Sequence, residues 1–119
     1  MSGVKRSVRV AEAMREELAR LVLFELKDPR VRGVVVTGVK LTDDLREAKV
    51  YFVIEGGGDE ERRREAGKGL TSAAGFLRRA VTNLLRLRNA PELHFEFDES
   101  IERGARIEKL LAEIEGTEK

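Results

Sequence analysis

The chain has 119 residues, 41% of them hydrophobic and 38% charged, which allows one domain with one core under a densely charged surface. Cysteine is absent, which excludes a disulfide framework and thiolate metal sites and fits a reducing compartment. A net charge of +1 hides a segregation: residues 62–88 hold eight Lys/Arg and a single acid, Glu65, whereas 89–119 hold nine acids and four cations. Such local separation of sign says more about partners than the total does.

The first pattern is helical. From about Val8 to Leu26, Val10, Met14, Leu18, Leu21 and Val22 recur at steps of three and four and line one face. Ser7 is the expected N-cap, and Lys27-Asp28-Pro29 stops the helix, because the residue before a proline is pushed out of the α region. The basic stretch Met1–Arg9 is not followed by the apolar run of a signal peptide, and no run approaches membrane-spanning length, so the expected setting is the cytoplasm.

Val34–Thr37 and Val39–Leu41 read as one strand with a bulge at Gly38. Thr42–Arg46 is a turn and Ala48–Ile54 a second strand, most simply the partner in an antiparallel hairpin. Gly56-Gly57-Gly58 is a plain flexible loop, lacking the Lys-Ser/Thr of a phosphate-binding loop, and Asp59 can cap the next helix.

From Glu60 the chain is helical but contains Gly67, Gly69 and Gly75, each costing about 1 kcal/mol relative to Ala. A break is therefore predicted. Phe76 to Arg88 is the stronger helix, with Leu77, Ala80, Val81 and Leu84 as its apolar stripe, Phe76 in the core, and Asn89-Ala90-Pro91 as its end. Leu93, Phe95 and Phe97 alternate with polar residues, giving a strand with one buried face. A last helix is expected over about 100–114, capped by Asp98 or Ser100, then a polar tail at 115–119. The sum is a single α+β domain over 1–114, with a three-stranded sheet and helices packed on one face.

On a helical wheel of 76–88 the face opposite the stripe carries Arg78, Arg79, Thr82, Asn83 and Arg86, and no acid occurs between Glu65 and Glu92. An ordinary solvated helix mixes signs, since i,i+4 pairs help it. Arginines without acids suit a phosphate backbone, which the planar guanidinium grips with two donors. Acids from other elements would serve the arginines equally. Lys5, Arg6, Arg9, Lys68 and Arg88 extend the candidate RNA-binding footprint. Ala73-Ala74-Gly75 allows a kink and a close approach, although plain helix packing through small residues accounts for it too. Arg62-Arg63-Arg64 reads as a solvated first turn.

No constellation for bond chemistry emerges. His94 is alone, Asp98 and Glu99 point apart in a strand, and no metal, cofactor or dinucleotide motif is present. The expected action is binding, by shape and backbone, since stacking platforms are lacking. Two rivals stand: a protein-interaction module docking an acidic partner through its basic helix, and a small metal-dependent hydrolase using His94, Asp98 and Glu99.

The strings Arg9-Val10-Ala11-Glu12, Glu17-Leu18, Leu26-Lys27-Asp28-Pro29-Arg30, Val36-Thr37-Gly38-Val39, Asp44-Leu45, Ala48-Lys49-Val50-Tyr51 and Ala74-Gly75-Phe76-Leu77-Arg78 appear in that order. Leu87-Arg88, Pro91-Glu92-Leu93, Phe95, Asp98-Glu99-Ser100 and Gly104-Ala105-Arg106-Ile107 come after them. In joint order and spacing, from about Lys5 to Leu111, the chain resembles the ribosome-binding factor A family. The resemblance implies a type II KH-like fold in which an Ala-x-Gly kink, here Ala73-Ala74-Gly75, replaces the glycine-rich loop. It implies binding to 16S rRNA and the 30S ribosomal subunit, to which the reading of the residues adds a non-catalytic, cytoplasmic chain expected to be a monomer. It also implies a role in late subunit maturation, 16S processing and growth in the cold.

Overall fold

The computed structural model describes residues 5–100. The helix expected over 100–114 and the tail at 115–119 lie outside the described residues, apart from Ser100.

Helix α1 (Arg6–Phe24) precedes a 3-10 turn at Pro29–Val31. Strands β1 (Val34–Leu41) and β2 (Glu47–Ile54) come next, then α2 (Glu60–Ser72), α3 (Ala74–Leu84) and β3 (Glu92–Phe97). The sheet order is β1-β2-β3. β1 and β2 form the expected antiparallel hairpin, with the register shifting between Val36 and Gly38 as the bulge requires. β3 runs parallel to β2, a pairing that needs a crossover, here made by α2 and α3.

Alternation decides the faces. Val34 and Val36, then Ala48, Val50, Phe52 and Ile54, then Leu93 are buried. Met14, Leu18, Leu21 and Val22 of α1, Ala66 and Leu70 of α2, and Leu77 and Val81 of α3 complete that core. Each fully buried Leu contributes roughly 1.5–3 kcal/mol. Gly56 and Gly57 have φ of +80° and +77°, so the expected flexible loop is a defined turn, tied by the Gly57 N–H to the Ile54 carbonyl at 2.9 Å. Asp59 caps α2 as expected, accepting from the Arg62 N–H at 2.8 Å.

Four expectations need correction. α1 begins at Arg6, so Ser7 is no N-cap; it lies inside the first turn, buried, and its hydroxyl donates to Asp43 Oδ1 at 3.3 Å. α1 also ends at Phe24, two residues before Leu26, and Asp28 instead caps the 3-10 turn. Phe76 is no core residue: 43% of it is exposed. The second helix of the pair stops at Leu84, itself 50% exposed, so Arg86 and Arg88 are not helical and Leu85 packs on the core in place of Leu84.

Candidate RNA interface

The cations of α2 are engaged within the protein. Arg62 donates through Nη1 to the Arg30 carbonyl at 2.7 Å and through Nη2 to the Arg32 carbonyl, fastening α2 to the 3-10 turn. The Arg63 guanidinium lies over the Phe97 ring, 4.0 Å from its centroid. Arg64 pairs with Glu61 at 3.2 Å and Lys68 with Glu65 at 3.6 Å. The expectation of a solvated first turn at 62–64 therefore fails for Arg62 and Arg63, which are half-buried. Asp59, Glu60 and Glu61 at the start of α2 offset the unfavourable placement of cations there.

Lys68 shares a shallow hollow with Arg30, Arg64 and the Thr71-Ser72 end of α2. Arg30 grips Asp28 with Nη2 2.7 Å from Oδ2 and reaches Ser72 Oγ at 3.3 Å. Its guanidinium holds the Asp28 carboxyl below the ordinary carboxylate value.

The kink lies where the sequence places it. Ala73 sits between the helices at φ −90° and ψ 0°, while its N–H still bonds the Gly69 and Leu70 carbonyls. Ala73 and Ala74 are half-buried and Gly75 is exposed. Gly69 has a separate duty. A β-carbon there would lie 2.8 Å from Val31 Cγ1, so only glycine lets α2 lie this close to the 3-10 turn.

Past the kink the arginines divide. Arg78 Nη2 donates to the Ala90 carbonyl at 2.8 Å and Nε to the Pro91 carbonyl at 3.0 Å, so its donors hold the approach to β3. Arg79 is exposed, its Nη1 lying 3.5 Å from where a Gly75 β-carbon would be. Arg86 sits at φ +54°. There the Arg86 N–H bonds the Asn83 carbonyl at 3.3 Å and the Leu87 N–H bonds the Thr82 carbonyl at 3.0 Å. These are the two bonds of a Schellman helix end, whose left-handed position favours glycine. An arginine there costs roughly 1 kcal/mol, and the missing glycine is why the helix end was not legible in the sequence.

Arg6 and Arg9 of α1 line one surface depression with Leu85 and Leu87 of the turn that carries Arg86. The structure thus brings Arg6 and Arg9 to the segment holding Arg86 and Arg88, with Arg79 further back along α3. Among the described residues no carboxylate pairs with any of these five. Lys5 faces elsewhere, 3.5 Å from Asp43 in the hairpin turn, with both side chains mostly exposed. Such a pair contributes little.

The groups of the hydrolase reading do not converge. His94 Nε2 is 2.7 Å from Glu47 Oε1 on the exposed sheet surface. Asp98 accepts from Thr37 Oγ1 at 2.7 Å and from the Ser100 hydroxyl at 2.6 Å. Among the described residues no cluster of His, Cys, Asp or Glu is arranged to hold a metal, and no helix is long and apolar enough to cross a membrane.

A three-stranded mixed sheet under α1 and a helix–kink–helix defines a KH-like domain of the type II arrangement. Comparison with known proteins narrows the class. The ribosome-binding factor A family matches residues 6–111. Ribosome-binding factor A of Geobacter sulfurreducens is 52% identical over 114 residues, covering 96% of this chain and 94% of its own. The crystal structure of ribosome-binding factor A from Thermus thermophilus superposes with a TM-score of 0.65 at 27% identity, covering 76% of this chain and 93% of that one. Thermus thermophilus ribosome-binding factor A coordinates fitted into a cryo-EM map of a 30S complex give a TM-score of 0.63 at 25% identity, covering 78% and 96%. The chain belongs to the ribosome-binding factor A family.

Sequence reasoning missed the exposure of Phe76 and the place of Arg30 beside the end of α2. Phe76, Arg79 and Asn83 stand at i, i+3 and i+7 and so share a helical face; the wheel that grouped the arginines holds Phe76 as well. Arg30, which ties the 3-10 turn to Ser72, left no periodic signal.

Proposed function

We propose that this protein is a non-catalytic, monomeric cytoplasmic factor that binds 16S rRNA in the 30S subunit and assists late subunit maturation and 16S processing. The observation that supports this best is family membership across nearly the whole chain, joined to five arginines, Arg6, Arg9, Arg79, Arg86 and Arg88, that lack acidic partners among the described residues. These arginines are the proposed phosphate contacts. Ala73, Ala74 and Gly75 set the direction of α3 and leave room for RNA to come close. Lys68 and Lys5 lie at the margins, and Arg78 supports the surface from below. A Thermus thermophilus relative has been fitted into the map of a 30S complex, and the same partner is proposed for this chain.

The test is co-sedimentation with 30S and 50S subunits at several salt concentrations, comparing the wild-type chain with Arg79→Ala/Arg86→Ala/Arg88→Ala. The wild-type chain is expected to pellet with 30S and not with 50S, and the triple variant to stay folded and remain in the supernatant. Each lost phosphate contact should lower the slope of log affinity against log salt by about 0.7–0.9. A wild-type chain that ignores 30S overturns the reading and favours an acidic protein partner.

A further inference from the structure

We infer that Phe76 is a stacking platform for an unpaired RNA base, so that the arginine surface selects single-stranded over duplex RNA; this rests on the RNA-binding reading above. An exposed apolar side chain is ordinary by itself, so its surroundings have to carry the argument. Two phenylalanines are prominently exposed, Phe24 and Phe76. Phe24 ends α1 among charges of both signs, Arg20, Glu25, Lys27 and Asp28, so its surroundings do not single out a polyanion. Phe76 lies in the one long stretch without any acid, 66–91.

Its helical face supplies what a nucleotide needs. Arg79 and Asn83, one and two turns along, are both exposed. The Arg79 guanidinium lies back toward Gly75, at the root of Phe76. An aromatic plane for a base, a guanidinium for the adjoining phosphate and an amide for a base edge thus stand in a row. Positive charge with no facing carboxylate complements a polyanion, and unstacked bases offer the apolar face that Phe76 lacks a protein partner for. A duplex keeps its bases stacked on one another and offers the ring nothing.

The experiment uses the full chain and a short adenine-rich single-stranded oligoribonucleotide carrying 2-aminopurine, with the corresponding duplex as control. Phe76→Leu keeps an apolar side chain at an exposed site and removes the ring. It is expected to weaken single-strand binding about 5- to 100-fold, to leave duplex binding unchanged, and to leave the salt slope intact. Arg79→Ala should instead lower the slope by about 0.7. The chain has no tryptophan, so Phe76→Trp places a unique fluorophore at the site; it should retain affinity and be quenched on saturation. Equal single-strand affinity for wild type and Phe76→Leu, or Phe76→Trp emission unmoved by RNA, overturns the inference. If the wild-type chain still pellets with 30S in that case, the proposed function stands and only the stacking role falls.

Discussion

α2 and the region from α3 to Asn89 hold similar cations and use them in opposite ways. In α2 the charges are engaged within the chain: Arg62 by two carbonyls of the 3-10 turn and Arg63 by an aromatic ring, while Arg64 and Lys68 meet acids one turn away in exposed pairs that add little stability. Beyond the kink, Arg78 alone serves the fold, and Arg79, Arg86 and Arg88 face solvent. Density of positive charge therefore does not mark a nucleic-acid surface. Charge without an internal acceptor occurs within 62–88 only in the later half, and RNA contact is proposed there for that reason.

The largest test of this contrast is Arg62→Ala. It strips donors from the Arg30 and Arg32 carbonyls and should destabilise the domain by about 2 kcal/mol, read as a lower Tm with RNA affinity unchanged at temperatures where the variant is folded. The arginine triple should do the reverse. If Arg62→Ala weakens RNA binding at full folding, the division between the two halves breaks.

A smaller pair sharpens it on the packing side. Gly69→Ala forces a β-carbon against Val31 and Arg30 and should cost about 1–2 kcal/mol in chemical denaturation. Gly67→Ala meets nothing within 4 Å and should stabilise by up to about 1 kcal/mol through helix propensity. Equal responses would mean that α2 does not bear on the 3-10 turn as described.

Much of this was legible beforehand. The stripe of α1, the hairpin strands and β3 follow from periodicity, because burial imposes period 3.6 on helices and period two on strands. Glycines in a helical run announced a break, yet did not tell apart Gly67, which meets nothing, from Gly69, which touches Val31. That difference depends on which element lies opposite, something a local pattern does not contain. Arg78 and Arg79 are neighbours of the same type, and a rotation of one residue sends one to the carbonyls of Ala90 and Pro91 and the other to solvent. The parallel direction of β3 was equally invisible, since the crossover fixes it and the strand's own alternation does not.

The smallest effect comes from Arg86→Gly. Relieving a left-handed arginine should raise stability by roughly 0.5–1 kcal/mol, a Tm gain of a few degrees, while lowering affinity for RNA. A gain in both would remove Arg86 from the contact surface.

β3 is the last in sequence of the described elements, and it completes the sheet. The hairpin needs only the turn between Leu41 and Glu47 to form, whereas Glu92 finds Glu47 only after two helices have been laid down between them. Long-range pairing of this kind is the slow, entropically costly step of folding. Arg78 grips the very segment that leads into β3, so docking of that strand adds to the hold that Leu77 and Val81 give α3 on the core. A chain still being synthesised, or cut short before Phe97, would own Arg6, Arg9, Arg79, Arg86 and Arg88 and yet lack the sheet that completes their support. Such a chain could attract RNA as any polycation does, without the geometry to choose among its sites.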